Sequence, residues 1–517
     1  MYNLPRLATV IAGVAAFASG VHAIQNVTRT GRYLYTADGN RFFIKGIAYQ
    51  EQGAISTDPN NPFLEPSNFT DPLIDGAACS RDLPFLQQLG VNAIRVYSVN
   101  SSLNHDACMS TFSNAGIYTI IDLALPVNGS IDRASPAWTT NLLDLYLNTI
   151  NVFSKYDNVL AYNVGNEVVI DPTGTGAAAF IKAAARDVKS YLKSISSSAL
   201  VGYAAIDGDS TWVDPLANYL DCDPSGSNSG DTSIDLFGLN NYEWLQRCGV
   251  LQRVRLHYLP PRLWTEVQAL FSSPMTDIWS GGLAFSYFPA TSSQGQFGIV
   301  NISSDGSTVT TGDDFSRLKT QYSEVSPPNS PTLSSAGPNT FSACPQENST
   351  FLASSTLPPT PNDAACSCLE SELSCQFTPK TTNTSGIVGT LLDTACSLLG
   401  GTGGSCAAIS ANGTTGTYGS VAFCDPEVKL SFVMSEYYEA TGRLATSCDF
   451  SGNATVNSGA PSSGATAAVT SCLANPSATA GSSGSSNNKN GAVGLLGNPQ
   501  AWWGLASRAS SASWAVC

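Results

Sequence analysis

Histidine is the scarcest of the residues that commonly carry enzyme chemistry, and the 517-residue chain contains only His22, His105 and His257. The three are far apart in the sequence, and His22 falls in an N-terminal segment that is expected to be removed. The chain therefore has too few histidines to favour a histidine-rich metal site or a Ser/His/Asp triad. The sequence predicts no metal and no organic cofactor, and it favours chemistry by carboxylates.

Positive charge is also in short supply. The chain has 24 lysines and arginines against 39 aspartates and glutamates, which gives a formal net charge of −15 at pH 7. An acidic protein repels polyanions, so nucleic acid is excluded as a partner. A neutral polymer is a more compatible partner.

A long hydrophobic run is missing as well. The apolar segment from Leu7 to about Ala18 is too short to span a bilayer. One arginine precedes it and small residues precede Ala23, so residues 1–23 are predicted to be a cleaved signal peptide. Nine Asn-x-Ser/Thr sequons fit a secretory route, and in an exported chain the fourteen cysteines favour disulfides.

Short apolar segments alternate with helix-like segments over residues 24–322, which is the rhythm of parallel βα units. Several read as continuous apolar strands, as expected when helices and a packed barrel centre cover both faces. A wide gap before the last segment indicates an eight-strand pattern whose seventh strand is disrupted. The strand-like segments are RFFIKGIAYQ, VNAIRVYSVN, IYTIIDLALP, NVLAYNVGNE, ALVGYAAID, IDLFGLNNYEW and GGLAFSYF.

The composition changes after residue 322. Residues 323–340 are rich in proline and serine and predict an extended interdomain linker. Residues 341–476 contain, besides Cys344, eight cysteines that can pair with one another, which predicts a small disulfide-stapled domain. Residues 477–517 form a Ser/Gly-rich spacer and an apolar tail. That order is typical of a GPI-anchor signal, although Pro499 and Arg508 make this tail atypical.

Polar residues stand at the predicted carboxyl ends of several strands, where barrels of βα units form their active sites. Glu167 follows Asn166 at the end of NVLAYNVGNE. A glutamate beside an amide that can hold a sugar 2-hydroxyl suits general acid/base catalysis on a glycosidic bond, although capping of the next helix is an equally good interpretation. The other such residues are Gln50, Tyr97, Asp122 and Tyr242. Together they describe a pocket suited to carbohydrate, whereas singly each is an ordinary barrel residue.

The motifs IKGIAYQ, IRVYSVN, AYNVGNEVV, FGLNNYEW and TEVQALFSSPMTDIWSGG resemble the glycoside hydrolase family 72 β-1,3-glucanosyltransferases of fungal cell walls. The cysteine-rich region resembles the family 43 carbohydrate-binding module, also called X8. The resemblance implies an α/β fold, a (β/α)8 TIM barrel over residues 24–322, followed by a small disulfide-rich module. It also implies a GPI-anchored protein of the plasma membrane or cell wall that acts on β-1,3-glucan donor and acceptor chains.

The resemblance further implies a retaining mechanism with two glutamates, of which Glu167 matches the acid/base. It implies disulfides between Cys79 and Cys108 and between Cys222 and Cys344. The positions that match the family's donor site are Gln50, Tyr97, Asp122, Asn166 and Tyr242.

The sequence departs from the family where the nucleophile belongs. A retaining glycosidase needs its second carboxylate roughly 5 Å from the first. In the family it lies in a Ser-Glu-Tyr/Phe-Gly-Cys segment between the NNYEW and TEVQAL motifs. Here residues 245–264, LQRCGVLQRVRLHYLPPRLW, contain four arginines and no carboxylate. The candidate strand begins at Val254, which leaves nine residues between it and Trp244, whereas a crossover with its helix needs at least about 10 to 12. The sixth helix is therefore predicted to be lost with the nucleophile.

No other residue replaces the nucleophile convincingly. Glu243 accompanies an intact nucleophile in the family, and Glu266 is better placed to stabilise the start of a helix. Glu436, in MSEYYEATG, lies among the cysteines of the module. Near the end of the barrel, Phe285 and Phe297 stand where the family has sugar-stacking tyrosines, so stacking is expected to survive without the hydroxyl.

Three hypotheses follow. In the first, the chain is a glucanosyltransferase whose reading frame or splice boundary is misassigned across residues 245–264. This accounts for the joint loss of a helix, a glutamate and a cysteine, which leaves Cys248 and Cys517 without family partners. In the second, it is an inactive glucan-binding wall protein. A third hypothesis, an endo-β-glucanase, meets the same nucleophile problem.

Overall fold

The computed structural model describes the chain except for residues 1–23, 54–69, 125–130, 134, 242–260, 293–294, 475–512 and 517. The α-helices are α1 (Gly76–Leu89), α2 (Asp106–Asn114), α3 (Thr140–Phe153), α4 (Ala178–Ser194), α5 (Ser210–Asp221), α6 (Glu266–Leu270), α7 (Asp313–Glu324), α8 (Asp363–Glu372), α9 (Ser385–Gly401), α10 (Pro426–Ala440) and α11 (Ala465–Ala474). Short 3₁₀ helices span Pro172–Ala177, Met275–Asp277, Leu333–Ser335, Cys406–Ile409, Ala445–Cys448 and Phe450–Gly452.

The strands are β1 (Val27–Thr30), β2 (Tyr33–Thr36), β3 (Ile44–Ala48), β4 (Ala93–Val96), β5 (Tyr118–Asp122), β6 (Val159–Asn166), β7 (Leu200–Ile206), β8 (Leu236–Asn241), β9 (Gly281–Ala284), β10 (Ala290–Ser292), β11 (Gly295–Phe297), β12 (Val300–Ile302), β13 (Val309–Thr311), β14 (Cys375–Phe377), β15 (Ala411–Asn412), β16 (Thr417–Tyr418), β17 (Ala454–Val456) and β18 (Ser513–Val516). Five antiparallel pairs stand outside the barrel: β1–β2, β10–β11, β12–β13, β14–β17 and β15–β16.

Strands β3 to β8 lie side by side in sequence order, all parallel, and β9 pairs in parallel with β3. All residues of β4, β5 and β7 are buried, because helices cover the outside and side chains fill the inside. The lower interior is an apolar layer that includes Ile44, Ala93, Ile120, Leu200 and Leu283. The predicted α/β barrel is therefore confirmed.

The seventh position of the barrel, between β8 and β9, belongs to the C-terminal strand β18. This strand runs antiparallel to both of its neighbours, with Val516 opposite Gly238 of β8 and Trp514 opposite Leu283 of β9. Strand edges expose unpaired backbone groups, which are costly in a buried layer. In the described residues, β18 fills the position between β8 and β9, while the predicted strand from Val254 lies outside them.

A cavity of about 300 Å³ lies on the outer side of β8, beside α5. Its lining includes Val213 and Ala217 of α5, Phe237 and Leu239 of β8, and Trp279. A βα barrel normally covers this face with the helix that follows the strand. Residues 242–260, which follow β8, lie outside the described residues.

The C-terminal region packs directly against the barrel. Phe351 is fully buried in the core of the barrel, with its ring 5.4 Å from that of Tyr219. The Thr360 hydroxyl donates to Asp187 Oδ1 at 2.7 Å, and Thr140 N donates to the Phe423 carbonyl at 2.9 Å. Residues 341–362 thus belong structurally with the barrel, although the sequence assigned them to the module.

The predicted linker, residues 323–340, is held along its length. Tyr35 donates its hydroxyl proton to the Pro331 carbonyl at 3.0 Å, and Arg41 Nη1 donates to the Ser330 carbonyl at 2.8 Å. The linker is therefore an extended strap on the barrel.

Six disulfides join the described cysteines. Cys79–Cys108 ties α1 to α2, and Cys222–Cys344 ties the end of α5 to the C-terminal region. These are the two pairs that the family resemblance implies. The module pairs are Cys366–Cys424, Cys368–Cys472, Cys375–Cys448 and Cys396–Cys406. No helix in the described part of the chain is long and apolar enough to cross a bilayer.

Deleting residues 475–517 should destabilise the barrel, because β8 and β9 then lose the strand between them. Each backbone hydrogen bond contributes about 1 kcal/mol net, so the free energy of unfolding should fall by about 3 kcal/mol. Differential scanning calorimetry measures the change. The control deletes residues 479–486 of the spacer and keeps β18; equal unfolding midpoints for both deletions would contradict the closing role of β18.

Candidate active site

Strand alternation brings the polar residues together inside the barrel. On β4, Arg95 follows Ala93 by two residues and precedes Tyr97 by two, so all three face the interior. Asp122 ends β5, and its direct cross-strand neighbour is Asn163 of β6. The parallel strands all end at the same mouth, which is where barrels place their chemistry.

Glu167 comes directly after β6 and is fully buried. The pairing of β6 with β7 shifts register between Asn163 and Asn166, and Glu167 itself has a left-handed backbone with φ of 50°. Bulges and positive φ at non-glycine residues are unfavourable locally and recur at functional sites, where they aim a side chain. The Glu167 N–H donates to the Ala204 carbonyl at 2.8 Å, and its carbonyl accepts from Arg133 Nε at 2.9 Å.

The carboxylate of Glu167 is oriented by Asn240 of β8. Asn240 Nδ2 donates to Glu167 Oε1 at 2.6 Å. The alternative role for this glutamate, capping the next helix, is wrong, because Asp171 caps the 3₁₀ helix Pro172–Ala177 by accepting from Thr173 N and Gly174 N. The Glu167 side chain is therefore held within the barrel.

Asn166 has its oxygen engaged by the protein. Asn166 Oδ1 accepts from Arg95 Nη2 at 2.9 Å and from Asn240 Nδ2 at 3.1 Å. Because the amide oxygen is fixed in this way, the amide N–H groups are the part of the side chain that suits a substrate hydroxyl. That Asn166 holds a sugar hydroxyl stays a prediction.

Arg95 and Asp122 form a buried bidentate ion pair beneath the site. The distances are 3.0 Å for Nε to Oδ1 and 2.6 Å for Nη2 to Oδ2, and Asn163 Nδ2 also donates to Asp122 Oδ1 at 2.6 Å. Burial alone would lower the pKa of Arg95, but the charges of Asp122, Tyr97 and Glu167 raise it above its ordinary value. Asp122 was predicted to contact substrate; both of its carboxylate oxygens accept from Arg95 or Asn163, so in this structure it supports the residues that surround it.

Tyr97 is stacked under the guanidinium of Arg95, which lies 4.3 Å from its ring centre. Burial raises the pKa of the Tyr97 hydroxyl to about 12, with Arg95 opposing the shift. The hydroxyl therefore stays neutral and can both donate to and accept from a sugar. Phe285 and Phe297 are buried, 5.2 Å apart, and Phe285 meets Tyr97 edge-on at 6.4 Å. They form the wall behind Tyr97, whereas the sequence predicted stacking residues.

Gln50 was also predicted to contact substrate, but its side-chain amide forms hydrogen bonds with backbone groups of the protein. Gln50 Oε1 accepts from Tyr97 N and Ser98 N at 3.0 Å each, and Nε2 donates to the Thr70 carbonyl at 2.5 Å. It therefore fixes the segment that carries Tyr97. The fifth predicted position, Tyr242, lies outside the described residues.

Sequence reasoning missed Asn240, Arg95, Asn163 and Arg133. The signal for the first three was available, because each is a polar residue at an inward position of a strand that is otherwise apolar. Arg133 carries no such signal, because it comes from a loop that reaches Glu167 only in the folded chain.

The nucleophile was expected on the strand between β8 and β9. In the described residues β18 lies there, and its sequence SWAV contains no carboxylate. Of the substitutes considered, Glu266 begins α6, as expected for a helix-stabilising residue, and Glu436 lies on α10 of the module, where Thr466 Oγ1 donates to it at 3.0 Å. Glu243 lies outside the described residues.

Comparison with known proteins agrees with this geometry. The family model described as Glucanosyltransferase matches residues 14–256 and 252–326, two pieces that meet inside the arginine-rich stretch. The model described as X8 domain matches residues 373–455. The chain is 40% identical over 485 residues to the 1,3-beta-glucanosyltransferase gas1 of Schizosaccharomyces pombe, a match that covers 89% of this chain and 83% of that protein.

Two solved structures of Saccharomyces cerevisiae Gas2p mutants are also similar. The apo structure has a TM-score of 0.72 at 32% identity and covers 89% of this chain and 99% of that one. A complex with laminaritetraose and laminaripentaose has a TM-score of 0.70 at 31% identity, with 84% and 95% covered. The barrel, the site at its mouth and these matches together show that the chain belongs to the glycoside hydrolase family 72 glucanosyltransferases and carries an X8 domain.

Proposed function

We propose that this protein is a β-1,3-glucanosyltransferase in which Glu167 is the general acid/base. The observation that carries the proposal is the buried Glu167 carboxylate, oriented by Asn240 beside Asn166 at the mouth of the barrel, in a chain of this family. The laminari-oligosaccharides bound to Gas2p are β-1,3-linked glucose chains, which support β-1,3-glucan as donor and acceptor. The neutral polymer expected from the chain's acidity agrees with this.

The reaction would proceed in two displacements. In the first, a carboxylate nucleophile attacks the anomeric carbon while Glu167 donates its proton to the departing glycosidic oxygen, which leaves a covalent glycosyl-enzyme. In the second, Glu167 takes the proton from the 3-hydroxyl of an acceptor glucan, and that oxygen displaces the nucleophile with net retention. Asn166 would hold the 2-hydroxyl of the donor sugar, and Tyr97 would contact it through its neutral hydroxyl.

Those displacements need the second carboxylate, and this supports a second candidate function. Because SWAV occupies the seventh strand position, the chain as written would bind glucan without turning it over. Under the gene-error hypothesis, in which the reading frame or splice boundary is misassigned across residues 245–264, the corrected chain would be an active enzyme. The family match in two pieces that meet within residues 252–256 supports this hypothesis.

We also propose that the protein acts at the cell surface. Six disulfides fit an oxidising compartment, and residues 1–23 and 477–517 have the layouts of a signal peptide and of a GPI-anchor signal. The plasma membrane or the cell wall is therefore the proposed location.

Sequencing of cDNA across codons 245–264 decides between the two candidates. We expect transcripts that encode a Ser-Glu-Tyr-Gly-Cys-like segment preceded by a helix-forming sequence. If all transcripts encode only LQRCGVLQRVRLHYLPPRLW, the gene-error hypothesis is wrong and the binding protein remains.

Replacing Glu167 by glutamine separates catalysis from binding. In a protein with the restored segment, elongation of reduced laminari-oligosaccharides should fall by about 10²- to 10⁴-fold, because glutamine cannot transfer the proton. In the chain as written we expect no transfer, and Glu167→Gln should leave that unchanged. Chromatography of the products measures both, and transfer by the chain as written would refute the binding-only function.

Replacing Asn166 by alanine should weaken binding of laminaripentaose about tenfold, or about 1.4 kcal/mol, because the hydrogen bond to the sugar is lost. Titration calorimetry on the chain as written measures this without turnover. The control is Ser98→Ala, whose backbone N–H, and not its side chain, is used near the site. Equal affinities for the parent and Asn166→Ala would remove Asn166 from the donor site.

A further inference from the structure

The module has few aromatic rings that can meet a ligand. In the described part of residues 341–474, the rings of Phe351, Phe423, Phe432 and Tyr438 are buried. Two half-exposed rings lie against the barrel: Tyr418 packs edge-on to Phe180 at 5.9 Å, and Phe341 lies 5.5 Å from the guanidinium of Arg29. Three half-exposed rings remain, Phe377, Tyr437 and Phe450.

Tyr437 and Phe450 form a pair on the module surface. Tyr437 lies on α10 and Phe450 begins the 3₁₀ helix Phe450–Gly452, and their ring centres are 6.1 Å apart at 73°. The two rings come from segments that the Cys375–Cys448 disulfide helps to fix, since Cys448 is two residues before Phe450. Their mutual orientation therefore depends on the fold of the module.

The backbone that presents Phe450 is strained. Phe450 has φ of 41° and Ser451 has φ of 58°, a conformation that a bulky side chain rarely adopts and that costs about 1–3 kcal/mol per residue. Three bonds support it: Asn453 Nδ2 to the Phe450 carbonyl at 3.1 Å, Lys380 Nζ to the Ser451 carbonyl at 3.4 Å, and Gly452 N to the Asp449 carbonyl at 2.6 Å. Backbone strain at an aromatic residue is typical of a residue whose ring contacts a ligand.

The surroundings fit a neutral polymer. Charges of both signs occur near the two rings in the chain: Lys380 and Asp449 bond to the turn, and Glu439 of α10 forms an ion pair with Arg443 at 3.6 Å. Hydroxyls are nearby as well, because Thr378 and Thr455 bond to each other at 2.6 Å on the strands that flank the turn. Apolar rings beside uncharged donors and acceptors match the C–H faces and hydroxyls of a sugar chain.

We infer that Tyr437 and Phe450 form the surface on which the module stacks a β-1,3-glucan chain. The choice of glucan rests on the proposed function, whereas the place on the module rests on the rings and the turn.

Co-sedimentation of the full chain with insoluble β-1,3-glucan tests the surface. Tyr437→Ala and Phe450→Gly should each raise the dissociation constant about tenfold, whereas Tyr437→Phe should keep the parent value because it keeps the ring. Leu398→Ala is the matched control, since Leu398 is an apolar residue of the module that is 39% exposed on α9. Glycine accepts a positive φ, so Phe450→Gly removes the ring and the strain together, and the unfolding midpoint of this variant should stay at the parent value.

Retention of parent affinity by Tyr437→Ala and Phe450→Gly would overturn the inference, and so would failure of the parent chain to bind the polymer. A loss of affinity that Leu398→Ala shares, or that follows a lowered midpoint, would show general damage to the module and also overturn it. The barrel is scored separately, by the effect of Asn166→Ala on laminaripentaose binding, so the proposed function and this inference fail in different assays.

Discussion

Closure of the barrel is the constraint on which the rest of this structure depends. Seven parallel strands leave the edges of β8 and β9 facing each other across a gap one strand wide. Unpaired backbone groups in a buried layer are costly, so a strand must fill the gap. The C-terminal strand fills it in the opposite direction, since hydrogen bonding along an edge does not require a particular sequence. Catalysis does require a particular sequence in this strand, because the resemblance to the family places the nucleophile at the same position.

The floor of the site depends on a buried ion pair. A charge inside a barrel is stable only when it is paired and fully hydrogen-bonded. Arg95 is paired with Asp122, and it also contacts Asn166 and the ring of Tyr97. Asn240 then links Asn166 to Glu167. Glu167, the proposed acid/base, and Asn166 are therefore fixed by one connected set of bonds before substrate arrives, which limits the reorganisation that binding requires.

The module is part of the same packed body as the barrel. Phe351 enters the barrel core, Thr360 bonds to Asp187, and Tyr418 packs on Phe180. These contacts place aromatic rings of the C-terminal region against the barrel, whereas the paired rings of Tyr437 and Phe450 are half-exposed on the module. A polymer is the substrate for which such a division makes sense, because one chain can be held on the module while another part of it lies in the barrel.

The sequence by itself determined the barrel, the place of Glu167 at a strand end, and the departure from the family over residues 245–264. Alternating apolar segments predict buried parallel strands, and a glutamate at the end of such a strand is expected at the barrel mouth. Residues 245–264 contain no carboxylate and therefore cannot supply a nucleophile. The tertiary structure decided the roles of the residues that surround Glu167. Gln50 and Asp122 stand at strand ends as predicted, yet folding buries their polar atoms against backbone and Arg95, while Asn240, fifty residues and more from its partners, reaches Glu167. Sequence records which residues lie on a strand, but which atoms remain for a ligand depends on contacts between strands that are distant in the chain.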